Sequence, residues 1–467
     1  MNDEGRPVAR GNAAKHRRRN FPCGAGDGGL STLSLELGGG RFDRCAERLA
    51  APILAPRATL PVTQSLPSAA SARSLDWFTF FLADIQTGFG PFVAIYLTAH
   101  AWTQFDIGLV LTAGGLAALA GQMPGGVLVD AVRSARLLGG LAVAAICLSA
   151  LAIAIWPIFP VVLASRVLHA SASCVIGPIV AAISLGLVGH AALGARLGRN
   201  ARFASIGNGV AAAGMGLCGL LVSNQAVFFL TALLVAPALV ALVRIRSHDI
   251  TALKPDVIEQ GGPGMGSILR TRRLLLFAAC VLLFQVANAA MLPLMGSMLT
   301  MRSSEWASTW IGACIVVPQL VVAGFAPSVG RLADSWGRRP LLYLCFAALA
   351  ARGVLFALVA SPYLIVTVQV LDGISAAVLG VTIPLIVADI TRGTGRFNLG
   401  LGIVGSAVGI GAALSTTLAG YVVDHFGSSV AFLGLSCIAL CGSAPVWLLP
   451  ETRPQPTAAA TSAQSDR

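Results

Sequence analysis

Ionisable and amide side chains occur inside stretches of this sequence that are otherwise apolar. Asp84 and Gln86 stand in the first such stretch, just before the glycine- and proline-rich residues 88–91. Arg166 and His169 stand in a later one, about one helical turn apart, so in a helix they would share a face. A carboxylate can take up and release a proton, and an ordinary imidazole titrates near neutral pH. The pattern therefore indicates proton transfer or the binding of a polar solute inside an apolar medium.

Further polar side chains, Gln285, Asn288, Gln369 and Asp372, follow in the second half of the chain. An ionisable group at the centre of a membrane costs roughly 2.5–3.5 kcal/mol on insertion scales, so such a group needs an explanation. Two explanations stay open for each candidate: contact with a proton or solute in a central cavity, or hydrogen bonding to a neighbouring helix. For Asp372, a structural ion pair with Arg352 fits the sequence as well as a transport role.

The composition shows what must position these side chains. Of the 467 residues, 56% are hydrophobic and only 11% are charged, whereas soluble domains carry about 25% charged residues. The solvent for most of this surface is therefore lipid. The formal net charge of +12 does not indicate nucleic-acid binding, because the basic residues stand in alternate loops between apolar stretches.

Twelve apolar stretches each reach the ~20 residues that a helix needs to cross a ~30 Å hydrocarbon layer. They are continuously apolar rather than alternating, which excludes a transmembrane β-barrel. The sequence therefore predicts an all-α membrane protein of twelve transmembrane helices. The predicted spans are 77–99, 106–129, 137–156, 160–188, 203–222, 226–244, 274–299, 306–329, 340–359, 362–390, 399–423 and 429–449.

Arginine placement predicts the orientation of these spans. The loops after spans two, four, eight and ten and the connection at 245–273 carry arginines, while on the opposite side Arg302 is the only lysine or arginine. By the positive-inside rule, the arginine-bearing loops and both termini are cytoplasmic. We therefore expect a multi-pass protein of the inner (cytoplasmic) membrane.

The two sets of six spans share polar landmarks in the same order. Residues 121–130, after span two, resemble residues 324–334, after span eight, and Ile107-Gly108 recurs as Ile311-Gly312. Arg202-Phe203 before span five also resembles Arg396-Phe397 before span eleven. The sequence therefore predicts two pseudo-symmetric six-helix bundles, at 77–244 and 274–449.

Residues 330–340, which read Gly-Arg-Leu-Ala-Asp-Ser-Trp-Gly-Arg-Arg-Pro, resemble the loop signature of the major facilitator superfamily (MFS). Residues 126–136 resemble the first-half copy of that signature, with departures at 131 and 134. Residues 166–169 are similar to the family's span-four motif, with His169 in place of a glutamine. The resemblance implies two halves that rock around a central site, and it implies a role for Arg166 in proton coupling or substrate binding.

The same resemblance implies a cytoplasmic gate. A carboxylate at the end of span two or eight can accept hydrogen bonds from a neighbouring helix N-terminus, which carries about +0.5 charge. Paired with nearby arginines, it would hold the cytoplasmic side shut in one conformer; a static loop anchor is the alternative. The predicted gate residues are Gly126, Asp130, Arg133, Arg136, Gly330, Asp334, Gly337, Arg338 and Arg339.

These features predict a proton-coupled secondary transporter that exports small organic or drug-like molecules by alternating access. Export is favoured by a glycine-rich fifth span, residues 207–219, that partly matches the family's antiporter motif but lacks its proline. A metabolite importer or facilitator, or a non-transporting assembly factor with the same fold, remains the alternative. The expected partners are a small-molecule substrate, protons and the lipid bilayer, with no nucleic acid; the oligomeric state is open, a monomer being expected.

The sequence contains no P-loop, H-E-x-x-H, G-x-S-x-G or C-x-x-C pattern, so we expect no enzymatic activity, cofactor, metal site or disulfide framework. Residues 1–73 are basic and rich in small residues; we expect a disordered leader, or a gene start assigned too far upstream. Residues 245–273 are predicted to form a cytoplasmic central loop, and residues 450–467 a disordered cytoplasmic tail.

Overall fold

The structure is a computed structural model that describes residues 68–87, 89, 91–250, 265–302, 307–449 and 451. Its regular elements in these ranges are helices, and all described residues belong to one compact unit. The α-helices are α1 (Ala69–Thr87), α2 (Pro91–Ala99), α3 (Gln104–Ala131), α4 (Ala135–Ile155), α5 (Phe159–Val188), α6 (Leu193–Leu221), α7 (Ala226–Arg244), α8 (Met265–Leu269), α9 (Arg272–Asn288), α10 (Met291–Arg302), α11 (Ala307–Ser335), α12 (Arg338–Leu358), α13 (Pro362–Ile390), α14 (Phe397–Phe426) and α15 (Ser428–Leu448).

Eleven helical segments of the described chain are long and apolar enough to cross a membrane. Each overlaps one of the predicted spans two to twelve. The first predicted span is instead divided between α1 and α2, and the seventh contains a similar division between α9 and α10. Helices dominate because no water is available inside a bilayer, so every backbone group must be bonded within its own segment. The prediction of an all-α membrane protein is confirmed.

Several helices extend beyond the predicted spans. Helix α6 begins at Leu193 rather than at 203, so the arginines assigned to the loop before span five lie within its first turns. The end of an apolar stretch marks the edge of the hydrocarbon layer. The helix itself can continue into the headgroup layer, because its backbone hydrogen bonds do not depend on apolar side chains. Helix α1 begins at Ala69, inside the segment predicted as a leader. The predictions for residues 1–67, 251–264 and 452–467 lie outside the described residues.

Helix ends follow from local sequence. The hydroxyl of Thr103 accepts a hydrogen bond from the backbone N–H of Asp106 at 3.1 Å, and Ser134 accepts one from Leu137 at 3.3 Å. These caps satisfy backbone donors that the first helical turn leaves free. Helix α14 ends at Phe426, and the following residue, Gly427, has a φ of +83°, which suits glycine because it has no Cβ.

Packing repeats between the two halves. In the first, α1 packs on α6 and α7, α3 packs on α5, and α4 packs on α5 and α7. In the second, α9 packs on α14 and α15, α11 packs on α13, and α12 packs on α13 and α15. The halves meet at two seams, α6 against α11 and α3 against α14. This packing agrees with the predicted pair of pseudo-symmetric six-helix bundles.

The seams fix the register of the repeat. Gly198 of α6 lies against the backbone of α11, and Gly402 of α14 lies against the backbone of α3 in the same manner. Counted from these two glycines, Arg202 corresponds to Ser406. The sequence match of Arg202 with Arg396 is therefore wrong. That match depends on two residues only, whereas the alignment of Gly198 with Gly402 depends on backbone contacts that only glycine allows.

Candidate functional site

The first transmembrane segment is interrupted between α1 and α2. Phe89 lies in this interruption, is 4% exposed, and donates its backbone N–H to the carbonyl oxygen of Gln86 at 3.2 Å. An interrupted helix exposes backbone groups that need other partners. Two of the predicted site residues supply contacts to Phe89.

Arg166 of α5 holds the interruption. Its Nη1 donates a hydrogen bond to the carbonyl oxygen of Phe89 at 3.0 Å, and its guanidinium lies 6.0 Å from the centre of the Phe89 ring. Its buried Nε makes no hydrogen bond to another described residue. The ion pairs within the described chain do not include Arg166, so its charge is not neutralised by a neighbouring carboxylate there.

His169, one turn further along α5, stacks on the same ring. The His169 and Phe89 ring centres are 3.8 Å apart and the planes are inclined by 12°. Its Nε2 lies 3.4 Å from the hydroxyl of Ser173. The predicted pairing of Arg166 and His169 on one face is therefore realised, and both contact the interruption.

Asp84 lies on α1, before the interruption. It is 2% exposed, and its Oδ1 has no hydrogen-bond partner among the described residues. Gln86 is partly buried, and its side chain makes no hydrogen bond to another described residue. The hydroxyl of Thr87 lies 3.2 Å from Oδ1 of Asn208 on α6. A buried carboxylate with a free oxygen is the least satisfied of the predicted groups.

The second half carries an ion pair near its own interrupted helix. Nη1 of Arg352 on α12 lies 2.5 Å from Oδ1 of Asp372 on α13 and 2.8 Å from Oδ1 of Asn288, the last residue of α9. Arg352 is 1% exposed. The predicted Arg352–Asp372 pair is present, and Asn288 joins it.

The two remaining amide candidates behave differently. Gln369 is fully buried and its Nε2 donates to the carbonyl oxygen of Cys314 on α11 at 3.1 Å, which links two helices. Gln285 of α9 packs beside Gly411 of α14. The predicted residues thus form two clusters, one in each half, with Asp84 apart from both.

The gate residues of the first half lie at the end of the bundle that carries the arginine-rich loops. Asp130, near the C-terminus of α3, accepts hydrogen bonds from the backbone N–H of Asn398 at 3.0 Å and of Leu399 at 2.8 Å, and from the Asn398 amide at 2.8 Å. These are the first residues of α14. The carboxylate therefore caps a helix of the opposite half, as the signature implies.

Asp334 occupies the corresponding place in the second half. Its carboxylate oxygens lie beside Gly194 of α6, and Oδ1 is 3.8 Å from Nη1 of Arg338. Arg338 is buried and also contacts Asp389 at 3.1 Å. Its backbone N–H and that of Arg339 donate to the carboxylate of Glu451, at 2.8 Å and 3.2 Å.

The other gate arginines do not pair with Asp130. Arg136 donates to the hydroxyl of Ser247 and, at 3.0 Å, to the carbonyl oxygen of Val243. Arg133 is exposed and makes no ion pair with another described residue. In the first half the gate arginines therefore contact the end of α7, the segment after it, or solvent, whereas the carboxylate of Asp130 crosses the seam.

Glycines bring the seams into close contact at this end. A Cβ on Gly126 would overlap the backbone of Asn398, and one on Gly330 would overlap the backbone of Gly194. Gly337 has a φ of +98° beside Glu451. Further along α6, glycines 209, 214 and 216 have no neighbour within 4 Å of such a Cβ. The conformer is therefore closed at the arginine-rich end.

Sequence reasoning missed the strongest ionic cluster of this end. Asp76 of α1, 1% exposed, contacts Arg196 and Arg199 of α6, each at 2.6 Å, and Arg196 also donates to Asn200 at 2.8 Å. The sequence analysis places Arg196 and Arg199 in a loop, so it offers no partner for Asp76 on the first helix. Placing them one turn apart on a longer α6 would have revealed it.

Two titratable groups outside the spans also contribute. The pKa of Asp249 is lowered because its carboxylate accepts hydrogen bonds from the hydroxyls of Ser68 and Ser71, each at 2.5 Å. These bonds join the segment after α7 to the start of α1. The pKa of His190, in the turn before α6, is lowered chiefly by burial and then by the charge of Arg392.

The chain matches the family model described as Major Facilitator Superfamily over residues 77–351 and 277–465. It is 39% identical over 382 residues to uncharacterized MFS-type transporters from two strains of Mycobacterium tuberculosis, an alignment that covers 79% of this chain and 91% of each relative.

Solved structures share the fold at low sequence identity. The proton:xylose symporter XylE matches with a TM-score of 0.61 and 13% identity, covering 82% of this chain and 95% of that one. The human organic anion transporter MFSD10 matches with a TM-score of 0.62 and 16% identity, covering 83% of this chain and all of that one.

Proposed function

Because the chain belongs to the major facilitator superfamily and is a multi-pass membrane transporter, we propose that it couples proton movement to the export of small organic molecules. The proposal includes a cytoplasmic location for the arginine-rich end and an inner-membrane location for the protein. The positive-inside rule supports the first of these, since the arginine-bearing ends of α3, α6, α11 and α14 meet at one end of the bundle.

Asp84 carries the proposal. A charged carboxylate enclosed among apolar helices is costly, by roughly 2.5–3.5 kcal/mol on insertion scales, and Oδ1 of this one has no partner among the described residues. Proton binding removes that cost by neutralising the carboxylate, and contact with water removes it by solvating the charge. The free energy of proton binding at Asp84 therefore depends on which side of the transporter is open, which is the requirement for coupling.

Arg166 supports a link between this carboxylate and the substrate. It holds the carbonyl of Phe89, which follows Asp84 along the same interrupted segment, and its charge has no counter-carboxylate among the described residues. A solute that contacts the guanidinium would compete with that backbone carbonyl. In this proposal, substrate binding moves the interruption and so changes the surroundings of Asp84, and the stacking of His169 on Phe89 holds the interruption in place until substrate binds.

The gate supplies the two conformers. Asp130 caps α14 across one seam, and Asp334 lies against α6 across the other. Both contacts exist only while the arginine-rich end is closed, because they join opposite halves. Their formation and loss fit the rocking of two halves around a midplane site.

Export as the direction rests on the partial antiporter motif of span five. Gly207 of that motif packs against the backbone carbonyl of Phe80 on α1, so the glycine brings α6 and α1 together one turn before Asp84. An importer remains the alternative outcome of the test below.

The experiment uses purified protein in proteoliposomes. Compounds that raise the thermal unfolding temperature in a chemically broad screen are taken as probes, and their movement is driven by imposed pH gradients of each sign. Acceleration when probe and protons move in opposite directions supports export by antiport. Acceleration only when they move in the same direction contradicts it.

Asp84→Asn is the matched variant, since it keeps the size of the side chain and removes proton exchange. We expect loss of gradient-driven transport of these probes with unchanged binding in the thermal screen. Gradient-driven transport at the wild-type rate would contradict the role of Asp84. If the wild type moves none of the probes and Asp84→Asn loses a protein partner, the non-transporting alternative is favoured.

A further inference from the structure

A groove of about 550 Å³ opens at the seam between α6 and α11, and its lining includes none of Asp84, Arg166 and His169. Its α6 wall is formed by Ala195, Arg199, Arg202, Phe203 and Ile206, and its α11 wall by Pro327 and Arg331. The lining thus contains three arginines and no acidic residue. This volume lies in the range of ligand pockets, roughly 300–1,000 Å³.

The groove lies on the outer side of the bundle. Its α6 residues recur every three or four positions, so they form one stripe along the helix. On the opposite side of the same helix, Leu193 and Leu197 are 1% and 5% exposed and belong to the core. The stripe of the groove is open instead, with Ile206 39% exposed and the Arg199 side chain 53% exposed.

Two of the three arginines have charge available for a ligand. Arg199 is paired with Asp76, whereas Arg202 makes no hydrogen bond or ion pair with another described residue. Arg331 donates only to the hydroxyl of Ser328, at 3.3 Å, which leaves its charge intact. The nearby carboxylates are engaged elsewhere: Asp76 by two arginines, and Asp334 beside Arg338.

Aromatic residues mark the depth of the groove. Trp77 of α1 is 51% exposed, and its ring centre is 6.2 Å from that of Phe203; Phe203 in turn lies 5.7 Å from the Arg199 guanidinium. Exposed tryptophans favour the headgroup level of a bilayer. Ile206 lies one turn deeper, so the cationic end of the groove is at the headgroups and its apolar end faces acyl chains.

The pseudo-symmetric seam lacks this character. With Gly198 equivalent to Gly402, the positions of Arg199 and Arg202 are occupied on α14 by Ile403 and Ser406, and Arg331 corresponds to Val127 on α3. The fold therefore does not require arginines at such a seam. Their presence on one side only points to a ligand.

We propose that this groove binds an anionic phospholipid of the surrounding leaflet, with the phosphate group between Arg202 and Arg331 and an acyl chain along Phe203 and Ile206. The bound lipid bridges α6 and α11, which belong to opposite halves. It therefore stabilises the conformer that is closed at the arginine-rich end, because separation of the halves would divide its binding site.

The test measures lipid retention by native mass spectrometry of the full-length protein. Phosphatidylglycerol is compared with phosphatidylcholine of the same acyl chains, and we expect the wild type to retain the anionic lipid preferentially. Each basic residue near an anionic surface contributes about fivefold in affinity. Arg202→Gln with Arg331→Gln should therefore reduce the preference on the order of 30-fold, and Arg202→Gln alone about fivefold.

The double variant Arg272→Gln with Arg273→Gln is the matched control, because it removes two exposed arginines from the same end outside the groove. It should retain the wild-type preference. Equal retention of both lipids by the wild type would overturn the proposal, as would an equal loss in the control and in the groove variant. So would displacement of phosphatidylglycerol by inorganic phosphate, which would indicate a site for a free anion. The single variant keeps the test decisive if the double variant does not fold.

Discussion

The glycine contacts at the seams predict that a single methyl group can open the arginine-rich end. Gly198 of α6 packs so closely on α11 that an added Cβ would overlap the carbonyl oxygen of Ala326 and lie 3.0 Å from Cα of Pro327. Both neighbours are backbone atoms, which cannot rotate away as a side chain can. The substitution Gly198→Ala therefore requires the two halves to separate locally.

The size of the effect follows from this geometry. Carbon atoms prefer separations of about 3.5–4.0 Å, so the contact with Pro327 at 3.0 Å calls for a displacement of at least about 0.5 Å. Overpacking of this kind typically costs about 1–3 kcal/mol. Since the cost falls only on the closed conformer, the ratio of closed to open molecules should fall roughly 5- to 150-fold.

Hydrogen exchange measured by mass spectrometry reports this shift directly. In Gly198→Ala, backbone amides near the seam, at 193–202 and 326–335, should exchange faster than in the wild type, because their contacts are lost in the open conformer. Gly402→Ala, at the equivalent position of α14, should accelerate exchange at the other seam, since its Cβ would lie 3.0 Å from Cα of Met123.

Gly209→Ala is the control, because no atom lies within 4 Å of a Cβ at that position of the same helix. It shares the gain in helix propensity of up to about 1 kcal/mol that any such change brings. If Gly198→Ala exchanged at the wild-type rate, or if both variants changed it equally, the seam would not be held by glycine contact and the closed end would need another explanation.

Two further predictions concern the polar contacts. Asp130→Ala removes three hydrogen bonds at the start of α14, a loss of capping worth about 1–2 kcal/mol. Hydrogen exchange of the backbone amides at 397–402 should therefore accelerate. Unchanged rates would exclude a role of Asp130 in closing the arginine-rich end. Arg352→Met leaves Asp372 without its partner and should lower the free energy of unfolding by about 3 kcal/mol, measured by thermal unfolding. This is the low end of the range for a broken buried pair, because the Asp372 side chain is 22% exposed. Arg352→Met with Asp372→Leu should recover most of that loss; failure to recover would mean that the arginine acts through packing rather than charge.

Sequence patterning predicted the architecture because it depends on quantities that the chain displays directly. Apolar length and the recurrence of residues 121–130 at 324–334 were sufficient to predict an all-α membrane protein built of two similar halves. The Arg352–Asp372 contact was also predictable, because two opposite charges in adjacent apolar spans have few other partners. The capping of α14 by Asp130 followed from the family signature.

Contacts that depend on helix phase and register were not predictable in this way. Phe89 gave no signal, since its role arises from a backbone carbonyl that becomes free only where the helix is interrupted. Asp76 was overlooked because its arginine partners were assigned to a loop. The match of Arg202 with Arg396 failed for a related reason: a dipeptide carries less information than the glycines at which two helix backbones touch.

The unequal electrostatics of the two halves suggest a division of labour. In the second half, Arg352 and Asp372 neutralise each other, so the region beside α9 carries no net charge for a solute or proton to act on. In the first half, Arg166 has no neighbouring counter-charge, and Oδ1 of Asp84 has no partner among the described residues. Among the described candidate residues within the membrane, unpaired charge thus lies beside the interruption of the first segment and at Asp84. In the proposed mechanism, substrate and proton therefore act mainly on the first half, and the second half moves as its structural counterpart.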